Sequence, residues 1–207
     1  MSRLCRDPGA GRILVDGTDL RSVTLRSLRE QIAFAAADGM LFSGTIADNI
    51  RCGRTGLAQD LIDETARRCE VYEAIKNLPE AFATAVGPGG TNVAAATAFR
   101  IGLARAMIGN PAVLIVQEPP EPVEDQETQA IDAALQQVRV GRTLVVIPSR
   151  LAMLRAADRV FLIHQGRLHA AGTHTELLQA NALYRHLNYV LFTPFRDVMP
   201  CGPNGVR

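Results

Sequence analysis

The sequence predicts an α/β fold built on a largely parallel sheet, and three observations carry that prediction. Short apolar runs of strand length at residues 32–37, 112–116 and 143–147 alternate with segments of helical periodicity. The runs are apolar throughout, the pattern of parallel strands buried on both faces. Residues 89–124, GGTNVAAATAFRIGLARAMIGNPAVLIVQEPPEPVE, pass from an Ala-rich helix through Gly109-Asn110-Pro111 into a short buried strand that ends on Gln117 and Glu118. An acid at a strand's carboxyl end is where open α/β sheets place their chemistry.

The elements follow in order. Residues 11–17, GRILVDG, read as a strand entering an Asp-Gly turn. Leu25, Leu28 and Ile32 recur at helical spacing among Arg26, Arg29 and Glu30, so residues 19–32 are partly helical and lead into the strand at 32–37. Ser43 or Thr45 is placed to cap a short helix. Residues 59–78 read as one long amphipathic helix with Leu61, Ile62, Ala66, Val71 and Ile75 on its apolar side, stopped at Leu78-Pro79. Beyond the central strand, residues 126–138 are helical with Ile131, Ala134, Leu135 and Val138 on one face, and Gly141-Arg142 turns into the strand at 143–147. A short helix at 150–156 precedes two strands, 158–164 and 167–170, around Gln165-Gly166. Residues 173–180 form a helix with Thr173 or Thr175 near its cap and Glu176 in its first turn. Residues 193–207 hold three prolines, two glycines and no periodicity, so the reading is a domain over 1–190 and a disordered tail over 191–207.

Bulk properties exclude several classes. A chain of 207 residues has room for one domain, or one domain with a lobe. A net charge of +1 argues against dominant nucleic-acid electrostatics. Cys5, Cys52, Cys69 and Cys201 lie far apart with no CxxC pair, which disfavours a disulfide framework or zinc site and fits reduced thiols. His164, His169, His174 and His186 do not share a helix face with an intervening acid, so no metal site is expected. No apolar run approaches the roughly 20 residues that span a bilayer, and residues 1–12 lack the apolar core of a signal peptide.

Specific strings add a family resemblance. Residues 37–50, ADGMLFSGTIADNI, closely resemble the Q-loop segment of exporter-type ATP-binding-cassette (ABC) ATPases, usually Gln-Asp-x-x-Leu-Phe-x-x-Thr-Ile-x-x-Asn-Ile. Residues 89–105 resemble the signature region, Gly-x-x-Leu-Ser-Gly-Gly-Gln followed by basic residues and Ala-Arg-Ala. The strand ending on Gln117-Glu118 resembles Walker B, four apolar residues and Asp-Glu. Residues 11–17 with Ser27-Leu28-Arg29, and Thr173-His174-x-Glu176-Leu177-Leu178 with Tyr184, follow the same family order. The resemblance covers about residues 4–190. It implies a P-loop NTPase of the ABC-ATPase type, with a helical subdomain inserted at about residues 43–107. The family's ligands are ATP and magnesium. Its partners are a membrane-domain subunit and a second ATPase domain, at the cytoplasmic face of the membrane.

Carried over residue by residue, the resemblance also implies depletion. The Q-loop Gln, which helps hold magnesium and the attacking water, corresponds to Ala37. The signature Ser corresponds to Ala94 and its glycines to Ala95 and Ala96, which add methyls and favour plain helix. Of the basic run that follows, only Arg100 persists. The magnesium Asp of Walker B corresponds to Gln117, a poor hard-cation ligand, while Glu118 matches the general base. The switch His corresponds to Ser149, and an exporter-loop Glu to Pro88. No G-x-x-x-x-G-K-[S/T] occurs in the sequence; Gly9-Ala10-Gly11-Arg12 lacks the Lys and runs into a strand. On this reading the Walker A strand, loop and most of its helix are missing, and Met1 falls inside the helix after the cradle. One lost group in such a site costs about 3–4 kcal/mol of transition-state stabilisation. The expectation is therefore a degenerate cassette without nucleotide turnover or bound cofactor of its own. Its alternative is a non-catalytic module that docks on an intact transporter or ATPase subunit through residues 41–50. An active ATPase subunit would need a phosphate loop from another chain. Without the first strand and helix, neighbouring strands should show unpaired backbone and apolar faces, leaving the chain marginal, aggregation-prone or completed by a partner.

Overall fold

A computed structural model of the chain describes residues 8–87, 92–120 and 124–192. They belong to two compact units, divided after Ile147.

In the first unit, Asp16 and Gly17 both take positive φ and close a small antiparallel hairpin of β1 (Leu14–Val15) and β2 (Thr18–Asp19), so the strand expected over 11–17 is only two residues long. Thr24 caps α1 (Leu25–Gln31) by accepting from the Ser27 amide, and β3 (Ile32–Ala35) follows directly. Thr45, not Ser43, caps α2 (Ile46–Arg51), in a capping box with Asp48. The strand β4 (Gly44–Thr45) pairs antiparallel with β5 (Ala85–Val86).

The helix expected over 59–78 is two helices, α3 (Gln59–Arg68) and α4 (Tyr72–Lys76). Glu70 adopts a left-handed φ of 52° between them. This bend lets Ile62, Ala66, Cys69, Val71 and Ile75 all reach zero exposure, which one straight helix face would not. Arg100 fixes the bend by donating to the Glu70 carbonyl and, through Nε, to the Ala96 carbonyl. Burial lowers the Arg100 pKa, opposed by the nearby Glu127 and Glu70 carboxylates.

Helix α5 (Ala95–Met107) is buried around most of its circumference. It leads to β6 (Val113–Gln117), then α6 (Asp125–Val138), which packs on α3 and α5, then β7 (Thr143–Ile147). The strands form a parallel sheet in the order β3-β6-β7, with Ala35 opposite Val116 and Val116 opposite Val146. The expected parallel sheet is present, but among the described residues burial on both faces is not. Ala35, Leu114 and Val116 are buried on the face toward α5. On the other face Phe34, Ile115 and Val145 make a cross-strand row in which Phe34 is 43% and Val145 45% exposed, and Ile147 is 53% exposed.

The second unit holds α7 (Leu151–Ala156), the antiparallel hairpin β8 (Val160–His164) and β9 (Arg167–Gly172), α8 (His174–Ala180) and α9 (Ala182–Phe192). Gln165 and Gly166 turn the hairpin at positive φ. Thr173 caps α8 in a capping box with Glu176. Val160, Leu177 and Tyr184 form the core, packed by Leu154, Ala157, Leu162, Ala170 and Leu178. Helix α9 runs two residues past the expected boundary at 190; the rest of the proposed tail lies outside the described residues, as do Cys5 and Cys201. Among the described residues no helix is long and apolar enough to cross a membrane.

Candidate functional site

Because β3 and β6 run parallel, the residues leaving them emerge at the same edge of the sheet. Ala37 lies there in a turn two residues past β3, half-buried, and Gln117 and Glu118 lie at the end of β6. The two β6 residues differ sharply. Gln117 is exposed, whereas Glu118 is 2% exposed. The Glu118 amide donates to the Ile147 carbonyl at 3.0 Å, extending the parallel ladder one residue and carrying the carboxylate inward.

The signature-like residues lie at the amino end of α5. Ala94 is its N-cap and offers no side-chain hydrogen bond; Ala94 and Ala95 are exposed and Ala96 is buried. Alanine is among the poorest N-cap residues because it has no oxygen for the orphan amides. Ser149 is half-buried in the second unit. Pro88 and residues 121–123 lie outside the described residues. Ala37, Gln117 and Glu118 are thus brought to one edge, and Ala94, Ala95 and Ala96 to one helix end.

A second constellation was not singled out from the sequence. Asn49 on α2 has zero exposure and uses its whole amide. Its Oδ1 accepts from the Phe42 amide at 3.0 Å and from Arg105 Nη2 at 2.8 Å. Its Nδ2 donates to the carbonyls of Phe42 at 2.9 Å and Thr45 at 3.0 Å. Arg105, in the last turn of α5, also donates to the carbonyls of Asn49 and Met40, and its guanidinium lies 5.1 Å from the centre of the Phe42 ring. Burial lowers the Arg105 pKa. The signal was present, since Asn49 stands in the exporter-like string and Arg105 in Ala-Arg-Ala, but nothing in sequence spacing joins positions 56 residues apart. Beside this node a groove of about 460 Å³ is lined by Phe42, Asp48, Arg51, Arg54, Thr55 and Leu57, among others.

Compared with known proteins, residues 3–121 match the family model described as ABC transporter. The chain belongs to the ABC transporter family. It is 36% identical over 187 residues to the ATP-dependent lipid A-core flippase of Chromobacterium violaceum, covering 90% of this chain and 32% of that protein. It is 34% identical over 181 residues to human ATP-binding cassette sub-family B member 5, covering 87% of this chain and 14% of that one. Among solved structures, a bacterial Atm1-family ABC exporter with ATP bound superposes with a TM-score of 0.79 at 32% identity, covering 87% of this chain and 32% of the exporter chain. This ABC chain therefore spans about a third or less of the length of these relatives. Its fold is the α/β ABC ATPase fold of the exporter type.

Magnesium in nucleotide sites is held by one or two carboxylates together with waters and substrate phosphates. At the edge of β6 the described residues offer the buried Glu118 carboxylate and the neutral, exposed Gln117 amide, a weaker cation ligand than a second carboxylate. Among the described residues no group of three or more His, Cys, Asp or Glu is placed to hold a metal ion.

Proposed function

We propose that this chain is a degenerate ABC domain, related to the ATPase subunit of an ABC exporter, that neither binds nor hydrolyses ATP on its own. The carboxyl edge of the sheet carries this reading. Ala37 and exposed Gln117 stand where a metal-organising amide and carboxylate are needed, and Ala94 caps α5 where a hydroxyl would reach phosphate. Glu118 keeps the chemistry of a general base, but a base without a positioned nucleotide has nothing to activate. Isothermal titration of the full chain with Mg-ATP tests the reading. No heat is expected; saturable binding at micromolar affinity overturns it and favours an active ATPase subunit.

A second reading, of a non-catalytic docking module, is favoured by the Asn49–Arg105 node. It orders the exporter-like segment and leaves Met40 67% exposed and Phe42, which lines the groove, 40% exposed. The partner would be a transporter's membrane-domain subunit or an intact ATPase domain, at the cytoplasmic face of the membrane. Specific capture of such a subunit, lost when Phe42 is replaced by Asp, supports docking; equal capture by both forms counts against it.

A further inference from the structure

We propose that His164 and His169 form a two-imidazole site for a divalent transition cation of the zinc class, at the turn end of the β8–β9 hairpin.

A local irregularity makes the site. His164 pairs with Arg167 and Ile163 with Leu168, but Leu162 pairs with Ala170, so the register skips His169. His169 is the extra residue of a β-bulge, and bulges re-aim a side chain out of the regular alternation. Five residues apart, the two histidines would diverge on a helix. Here Gln165 and Gly166, both at positive φ, turn the chain back on itself and bring them together. The ring centres lie 6.2 Å apart, with the ring planes at 76°. Zinc–imidazole bonds are about 2.0–2.1 Å long, so two rings on one ion have their centres about 5–6.5 Å apart. The pair already stands within that range, and rotation of the side chains is enough to turn one nitrogen of each ring toward a shared ion.

The surroundings decide the class of ligand. Both side chains are exposed, so an ion reaches them from solvent. Imidazole suits zinc, copper and nickel, whereas magnesium takes oxygen ligands. Among the described residues no third His, Cys, Asp or Glu completes a metal-holding group with them, so water fills the remaining positions and the ion exchanges. Arg167 stands opposite His164, and its charge opposes a bound cation.

Proton–nitrogen NMR spectra of the imidazole rings, recorded on the full chain during titration with Zn2+ in excess Mg2+, test this. Accessible thiols are alkylated first, because thiolates compete for zinc. A ring nitrogen of His164 and one of His169 should shift together and saturably, while those of His174 and His186 stay in place. His174 is held against Tyr184 in the core, so its signal also reports that the second unit is folded. His164→Gln should weaken the response of His169 by about tenfold or more, and His169→Gln that of His164, because chelation needs both rings. Arg167→Gln should tighten binding by about threefold. Three outcomes overturn the proposal: neither ring shifts at millimolar Zn2+, one ring responds undiminished when the other is replaced, or exposed His186 shifts equally, the mark of adventitious contact with single histidines. Inorganic phosphate in place of Zn2+ should move neither ring. A saturable shift with phosphate, weakened by Arg167→Gln, would make the hairpin an anion site and overturn the cation assignment.

Discussion

His174 Nδ1 and the Tyr184 hydroxyl lie 2.8 Å apart and join α8 to α9 inside the core of the second unit. Burial, with the nearby Arg155 charge, pushes the His174 pKa below its ordinary value, and burial pushes that of Tyr184 up, so both shifts favour the neutral forms. An unfolded His binds a proton near pH 6.5, and the folded one only at lower pH. Between those values the unfolded state holds more protons, so stability rises with pH. The contribution is complete above about pH 6.5 and is lost as pH falls toward the lowered folded value. The urea midpoint should therefore drop between pH 7 and pH 5, and His174→Gln should flatten that drop. A wild-type midpoint that is level across this range, or an unaltered slope in the variant, counts against the assignment.

Asn49→Ala removes an amide that makes four hydrogen bonds at zero exposure. It leaves the Phe42 amide and two carbonyls to find new partners, and uncovers part of the Arg105 fork. Unsatisfied buried groups cost about 1–3 kcal/mol each, partly recovered by water. A loss of about 3 kcal/mol in urea unfolding is expected. A loss below about 1 kcal/mol would show that the segment rearranges freely.

What the sequence disclosed and what it hid follow a physical line. The strand at 143–147 was legible residue for residue, because a five-residue apolar run between a Gly turn and Pro148 admits few alternatives. Thr173 with Glu176 announced the start of α8 because a capping box is a local pattern. The break at Glu70 left only a trace, a step of five from Ala66 to Val71 among apolar residues otherwise four apart, which does not by itself fix where the chain bends. What bends the chain is Arg100, 30 residues away, taking the Glu70 carbonyl. The Asn49–Arg105 node was hidden for the same reason. At the candidate site, the residue types Ala37, Gln117 and Glu118 were legible, but the inward turn of Glu118 was not, because burial of a strand's last acid depends on the neighbouring strand. The expectation of a sheet covered on both faces failed at Phe34 and Val145, which read as core residues in sequence and are exposed in the fold.

Ala94→Ser should stabilise the chain without restoring nucleotide chemistry. Ala94 is the α5 N-cap and gives no side-chain hydrogen bond. A serine there supplies an acceptor for an orphan amide, worth about 1 kcal/mol. The same hydroxyl is the group a signature segment would aim at phosphate. A gain of about 1 kcal/mol in urea unfolding with no heat from Mg-ATP is expected. Binding that emerges with this single change would mean that Ala37 and Gln117 matter less than proposed.

The open face of the sheet makes a prediction about solubility. Phe34, Ile115 and Val145 form a row across three strands, and Val145 sits on β7, which among the described residues pairs only with β6. The run Thr143-Leu144-Val145-Val146-Ile147 carries no charge and no proline, two of the devices that keep edge strands from pairing with other chains. Val145 is 45% exposed, so a polar replacement removes little buried contact. Val145→Lys should change stability by no more than about 0.5 kcal/mol while placing a charge at the edge and in the apolar row. Light scattering on warming should then begin at a higher temperature or protein concentration than in the wild type. If the variant instead unfolds at markedly lower urea, Val145 is a core residue covered in solution, and the exposed face is not where self-association begins.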